Sequence, residues 1–459
     1  MEQITKPHCG ARLDRLPDCR WHSSMFAIVA FGLLVCWSNA VGGLILAQLK
    51  ALGWTDNSTT ATFSAITTAG MFLGALVGGI IGDKTGRRNA FILYEAIHIA
   101  SMVVGAFSPN MDFLIACRFV MGVGLGALLV TLFAGFTEYM PGRNRGTWSS
   151  RVSFIGNWSY PHCSLIAMGL TPLISAEWNW RVQLLIPAIL SLIATALAWR
   201  YFPESPRWLE SRGRYQEAEK VMRSIEEGVI RQTGKPLPPV VIADDGKAPQ
   251  AVPYSALLTG VLLKRVILGS CVLIAMNVVQ YTLINWLPTI FMTQGINLKD
   301  SIVLNTMSMF GAPFGIFIAM LVMDKIPRKT MGVGLLILIA VLGYIYSLQT
   351  SMLLITLIGF FLITFVYMYV CYASAVYVPE IWPTEAKLRG SGLANAVGRI
   401  SGIAAPYAVA VLLSSYGVTG VFILLGAVSI VVAIAIATIG IETKGVSVES
   451  LSIDAVANK

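Results

Sequence analysis

Charge is scarce in this sequence. Asp, Glu, Lys and Arg make up 12% of its 459 residues, about half the share found in soluble domains. A soluble enzyme of this length could not cover its exterior with polar groups, so that class is excluded. Histidine is scarcer still, with four residues. The seven cysteines (9, 19, 36, 117, 163, 271 and 371) form no C-x-x-C pair, and no metal-ligand spacing emerges. There is no G-x-x-x-x-G-K-[ST] phosphate loop, which argues against ATP as a driving force, and no Ser-His-Asp arrangement for an enzyme. No cofactor is called for. What fills the chain is apolar: 56% hydrophobic residues and 42 glycines. That excludes disorder, and the mean hydropathy of +0.70 points to a multi-pass membrane protein.

A helix needs about 20 apolar residues to cross a bilayer. Twelve such runs are present, at 24–49, 61–82, 89–107, 112–136, 149–173, 179–201, 265–291, 301–323, 330–347, 352–378, 390–414 and 418–440; they are called spans 1 to 12 below. The expected fold is therefore all-α, with twelve transmembrane helices in two sets of six. The domains are 1–201, a linker over 202–264, and 265–459. The linker opens with a helix-like run from Trp208 to Glu227. The first 23 residues are polar and basic, without a signal-peptide cleavage pattern. With the N-terminus inside, 28 of the 33 Lys and Arg residues fall on the cytoplasmic side and three (Lys50, Arg181, Lys299) outside. This is the positive-inside pattern. Both termini are expected in the cytoplasm, in a bacterial-type inner membrane. The formal charge of +9 then reflects topology and contact with lipid, and needs no nucleic acid.

The two halves repeat. Gly79-Ile-Ile-Gly-Asp83-Lys84-Thr-Gly86-Arg87-Arg88 follows span 2, and Asp324-Lys325-Ile-Pro327-Arg328-Lys329 follows span 8. Glu138, Pro141 and Arg145 follow span 4, as Glu380, Pro383 and Arg389 follow span 10. Pro203-Glu204-Ser205-Pro206-Arg207 follows span 6, as Glu442-Thr443-Lys444 follows span 12. Asp83 and Asp324 are 241 residues apart, and the other pairs lie within a few residues of that offset. A duplicated helical unit around a central cavity suits a secondary transporter. Asp83, Arg87, Glu138, Arg145, Glu204, Arg207, Asp324, Arg328, Glu380 and Arg389 all stand at cytoplasmic helix ends. They are candidates for a gate whose ion pairs form in one state and break in another.

An ionisable side chain inside a membrane span costs about 2.5–3.5 kcal/mol on insertion scales, so each one is a functional candidate. Span 3 holds Glu95 and His98, three apart and on one face. Span 4 holds Arg118, span 5 His162 and span 11 Arg399. Arg399 is the leading substrate ligand, because a guanidinium can fork a carboxylate. Glu95 and His98 are candidates for proton coupling. Asn39, Gln280, Tyr281, Asn285, Trp286, Tyr372 and Asn395 could line the cavity with Arg118 and Arg399, although aromatic residues at helical spacing more often pack.

G-x-x-x-D-K-x-G-R-R after span 2, Arg118-x-x-x-Gly122-x-Gly124-x-Gly126 in span 4, P-E-S-P-R-W-L after span 6 and P-E-x-x-P-T-x-x-x-R-G after span 10 resemble the major facilitator superfamily. The likeness is to its sugar-porter branch and the related organic-ion, nicotinate and aromatic-acid carriers, and it covers nearly the whole chain. It implies alternating access to a central site. In sugar porters an Arg at position 118 faces an acid in helix 1, where this chain has Ser38 and Asn39. The sugar-binding Gln-Gln pair of span 7 is replaced by Ala275 and Met276. The span 11 segment around Arg399 resembles that of organic-anion carriers. The expected activity is proton-coupled uptake of a small organic carboxylate, aromatic acids included, by a monomer. A sugar or polyol porter of the same fold is the alternative, with drug efflux or a transceptor behind it.

Overall fold

Backbone inside a bilayer has no water to bond, so each apolar run must satisfy its own N–H and C=O groups as a helix. The computed structural model describes residues 7–36, 38–141, 145–240, 253–323, 325–383 and 386–444, and every regular element among them is helical. Nine of the described helices are long and apolar enough to cross a membrane. The twelve expected spans are all accounted for, because spans 1 and 5 are each broken into two shorter helices and spans 11 and 12 run together. Span 1 is Arg20–Val35 followed by Gly42–Ala51. Span 5 is Arg145–Asn157 followed by Ser159–Leu170. Spans 11 and 12 form Lys387–Ile439, bent at Gly417, where a φ of 64° suits a residue without Cβ.

The breaks have local causes. Pro161 has no N–H for the carbonyl of Asn157, so span 5 turns at Trp158. Pro313 does the same to Met309 in span 8, which divides into Leu298–Met309 and Gly311–Val322. In span 1 no proline intervenes. Cys36 N–H closes the first helix on Gly32 C=O at 3.1 Å, and two residues later an arginine takes a carbonyl that would otherwise bond within the helix.

The repeat seen in the loops extends into the packing. A Cβ on Gly70 would collide with Phe119 C=O, and one on Gly74 with Val123 C=O. A Cβ on Gly311 would collide with Phe360 C=O, and one on Gly315 with Thr364 C=O. Each of these four residues in the second half lies 241 positions after its counterpart, the offset of Asp83 and Asp324. Small residues let membrane helices meet backbone to backbone, where no hydrophobic effect drives them together. The same seam was therefore kept in both copies.

By contact the chain forms two units. One comprises Met1–Asn39, Gly70–Ser159 and Leu184–Gly246; the other comprises Ala40–Ala69, Tyr160–Gln183 and Lys247–Lys459. The division cuts through spans 1, 2, 5 and 6 instead of following the linker. Gly43 packs against the carbonyls of Ile284 and Asn285, and Asn305 Nδ2 donates to Ser164 Oγ at 3.1 Å. Those contacts hold parts of the first-half spans in the second unit.

The expected single helix of the linker is two, Pro206–Ser211 and Tyr215–Thr233, separated at Gly213. The second packs its apolar face on the N-terminal helix Cys9–Asp14: Cys9, Leu13 and Leu16 are buried with Trp208, Met222, Ile225 and Val229. Arg12 bonds Glu219 and Glu226, and Arg15 donates to Glu226 Oε1 at 2.6 Å. Burial pushes the Glu226 carboxyl up, but the two guanidinium groups outweigh it and hold the group below its ordinary value of 4.5. A lowered carboxyl stabilises the folded state above its ordinary value and loses that contribution as pH falls through the lowered one. Arg12→Ala should therefore expose residues 7–16 to limited proteolysis at neutral pH with the spans intact. The wild type should show the same cleavage only once the pH falls below the ordinary carboxyl value of 4.5.

Candidate functional site

The first unit holds a dry polar cluster. Glu95 and His98 on Arg87–Ala106 are both 0% exposed, and His98 Nδ1 lies 3.6 Å from Glu95 Oε2. His98 Nε2 is 2.7 Å from Ser38 Oγ. Arg118, 1% exposed, donates from Nη1 to Ser38 C=O at 2.7 Å and reaches Met121 Sδ. Gly124 admits this approach, since a Cβ there would stand 3.0 Å from His98 N. Neither Glu95 oxygen meets a hydrogen-bond partner among the described residues. Three elements thus meet at the break in span 1, in a place no solvent reaches. Asn39 is half-buried in the same non-helical stretch.

The charged turns are built alike. In the first unit, Glu204 Oε1 accepts from the N–H groups of Arg87 (2.7 Å), Arg88 (3.2 Å) and Ser205 (2.9 Å). A carboxylate thus caps the N-terminus of Arg87–Ala106, where the helix dipole favours it. It comes so close to Gly86 that a Cβ there would collide with it, and the φ of 96° at Gly86 also excludes a side chain. Arg87 donates from Nε to Glu138 Oε1 at 2.9 Å and from Nη1 to Asp83 Oδ1 at 2.7 Å. Arg207 donates to Glu138 C=O at 2.9 Å and to Asp14 Oδ1 at 2.9 Å.

In the second unit, Glu442 accepts from the N–H groups of Arg328 (2.8 Å) and Lys329 (3.1 Å). Burial raises its carboxyl, but these bonds pull it below the usual range. Arg328 forks Glu380 at 3.0 and 3.1 Å, and Thr443 Oγ1 donates to Glu380 Oε2 at 2.6 Å. The structure brings Asp83, Arg87, Glu138, Glu204 and Arg207 together in one cluster, and Arg328 and Glu380 in another. The Arg389 guanidinium lies 5.1 Å from the Tyr254 ring. Asp324 lies outside the described residues, as does the side chain of Arg145.

The candidate ligand residues divide. Gly398 and Gly402 press span 11 onto span 7: a Cβ on Gly398 would stand 2.8 Å from Leu273 Cβ, and one on Gly402 3.1 Å from Tyr281. Arg399 is three residues from Gly402, so it is on a neighbouring face beside that seam. It is half-buried, and its Nη1 is enclosed with no hydrogen-bond partner among the described residues. Gln280 and Tyr281 are also half-buried. Tyr160, from the second helix of span 5, lies beside Gln280 and meets Tyr367 edge-on at 5.4 Å. Asn395 is exposed and donates to Ser391 C=O at 2.9 Å.

Asn285 is buried, and Trp286 and Tyr372 are 0% exposed. Trp286 belongs to the core, and Tyr372 stacks on Tyr377 at 5.0 Å within the π-helical turn Tyr372–Tyr377. Both were expected to line the cavity, and both side chains are wholly enclosed in this structure. Sequence reasoning passed over Ser38 and Tyr160. The signals were present in Arg118, an arginine inside a span that needs an acceptor from another helix, and in Pro161, which breaks span 5 beside Tyr160.

A family model described as Major Facilitator Superfamily matches residues 25–406. The inner membrane metabolite transport protein YdjE of Escherichia coli (strain K12) is 44% identical over 98% of this chain and 99% of its own. The niacin transporter NiaP of Acinetobacter baylyi is 26% identical over 96% and 99%. The xylose transporter XylE from E. coli, solved in a partially occluded inward-open conformation, superposes with a TM-score of 0.73 at 18% identity, over 93% of this chain and 100% of that one.

Proposed function

The chain belongs to the major facilitator superfamily and is a multi-pass metabolite transporter, and from that premise we propose that it takes up a small organic carboxylate together with a proton. It does so across an inner membrane, with both termini in the cytoplasm. The observation that carries the carboxylate is Arg399. An enclosed guanidinium N–H without an acceptor is costly, and an incoming carboxylate would satisfy it. The Tyr281 ring, packed against Gly402 three residues along the helix from Arg399, favours a planar, aromatic acid. The likeness to a protein named for niacin, an aromatic carboxylate, points the same way.

Binding of radiolabelled nicotinate and benzoate by the purified protein, against xylose and glucose, tests this reading. Saturable binding of an acid that the sugars do not displace is expected. Saturable binding of a sugar alone would overturn it. A sugar or polyol porter of the same fold is the second reading, supported by the uncharged donors and acceptors Gln280, Tyr160, Asn305 and Ser164.

Glu95 and His98 carry the coupling proton in this proposal, since they form a buried titratable pair in contact with spans 1 and 4. A carboxylate anion entering with one proton moves no net charge, so the pH difference drives accumulation, about ten-fold or 1.4 kcal/mol per pH unit. Glu95→Gln and His98→Ala should each abolish accumulation above the external concentration while leaving counterflow exchange. Protonophore-insensitive uptake in the wild type would remove the coupling assignment.

A further inference from the structure

We propose that the Ser38 hydroxyl is the positioning group that passes the protonation state of the Glu95–His98 pair to the backbone break in span 1. This rests on the reading of that pair as the proton carrier. His98 Nδ1 faces the Glu95 carboxyl and Nε2 faces Ser38 Oγ at 2.7 Å. The other groups around the pair are Arg118 from span 4, held on Ser38 C=O, and the Cys36 thiol from span 1, near Glu95.

In the neutral imidazole the carboxyl side keeps the proton on Nδ1, so Nε2 is an acceptor and the Ser38 O–H donates to it. When His98 takes up a proton, that proton sits on Nε2 and the direction of the bond reverses. Nε2–H now donates to Oγ, and the Ser38 O–H must turn to another acceptor. No bond within Ser38 breaks. A hydroxyl can play both parts, and an alanine can play neither.

Ser38 is well placed to convert this reversal into a backbone change. It stands between Val35 and Gly42, where the helix is interrupted. Its own C=O accepts from Arg118 Nη1 at 2.7 Å. Turning the residue therefore alters its hydroxyl and its carbonyl bond together. One residue further on, at Asn39, the chain leaves the first unit, and Ala40 begins the second.

Hydrogen–deuterium exchange of the segment 36–43 tests the assignment without a known substrate. The full-length protein in detergent is compared at pH 5.5 and 8.0, after correction for intrinsic rates. In the wild type and Ser38→Thr, protection should differ at least several-fold between the two pH values. In Ser38→Ala and His98→Gln it should not, with size-exclusion profiles unchanged. Ser38→Ala retaining the wild-type pH dependence would overturn the proposal, as would a wild type that shows none. Uptake keeps the two readings separate. Loss of pH-dependent protection in Ser38→Ala alongside protonophore-insensitive wild-type uptake would sink proton coupling while leaving the Ser38 linkage in place.

Discussion

Arg399→Lys is expected to weaken binding of an aromatic carboxylate nearly as much as Arg399→Ala. The reason is geometric. A guanidinium presents two parallel N–H groups to a carboxylate, and an ammonium cannot reproduce that fork. Arg399 Nη1 is enclosed without an acceptor among the described residues, so the ligand would supply the missing bond instead of competing with a protein acid. A hydrogen bond to a charged group is worth about 1.5–3 kcal/mol, so the dissociation constant should rise by about ten-fold to more than a hundred-fold. Calorimetry with nicotinate on the wild type and both variants provides the measurement, with monodispersity as the folding check. Full affinity in the lysine variant would reduce Arg399 to a source of positive charge.

Glu204→Ala should abolish most transport, and Asp83→Asn should cost less. The short charged turn draws attention to Asp83 in the sequence, but its side chain is largely exposed and pairs, among the described residues, with Arg87. Exposed pairs contribute about 0–1 kcal/mol. Glu204 accepts three backbone N–H groups, and Gly86 has no side chain to occupy the space its carboxylate fills. Removing it leaves two donors unpaired at the start of Arg87–Ala106 and a third at Ser205, at about 1–3 kcal/mol for each one that stays buried. The initial rate of counterflow exchange in proteoliposomes, at matched protein insertion, should fall at least ten-fold for Glu204→Ala. Glu442→Ala should behave alike, since Glu442 holds Arg328 and Lys329 in the same way. Near-normal exchange in both variants would mean that these turns are only structural.

The repeat was legible because its markers are local. Asp83, Gly86 and Arg87 lie on one turn, and their spacing survives in a string of letters. The helix starts that Glu204 and Glu442 cap were not legible, because each carboxylate comes from more than 110 residues away. The aromatic candidates show the same limit. Tyr281 and Trp286 lie five residues apart on one helix, yet the first is half-buried beside Gly402 and the second wholly enclosed. Periodicity places both on a helix; it does not say which neighbour covers each face.

The sequence by itself determined that the chain is helical, crosses the membrane twelve times and consists of two related halves. Those properties follow from the length of apolar runs and from a repeat offset, which act on each segment separately. The tertiary structure alone decided that span 1 is interrupted, that Ser38 joins His98 to Arg118, and that Arg399 keeps an enclosed N–H without an acceptor among the described residues. Each of these depends on what a distant segment donates or withholds. In a medium without water, a polar group's partner must come from the protein, and only the packing of helices determines which residue that is.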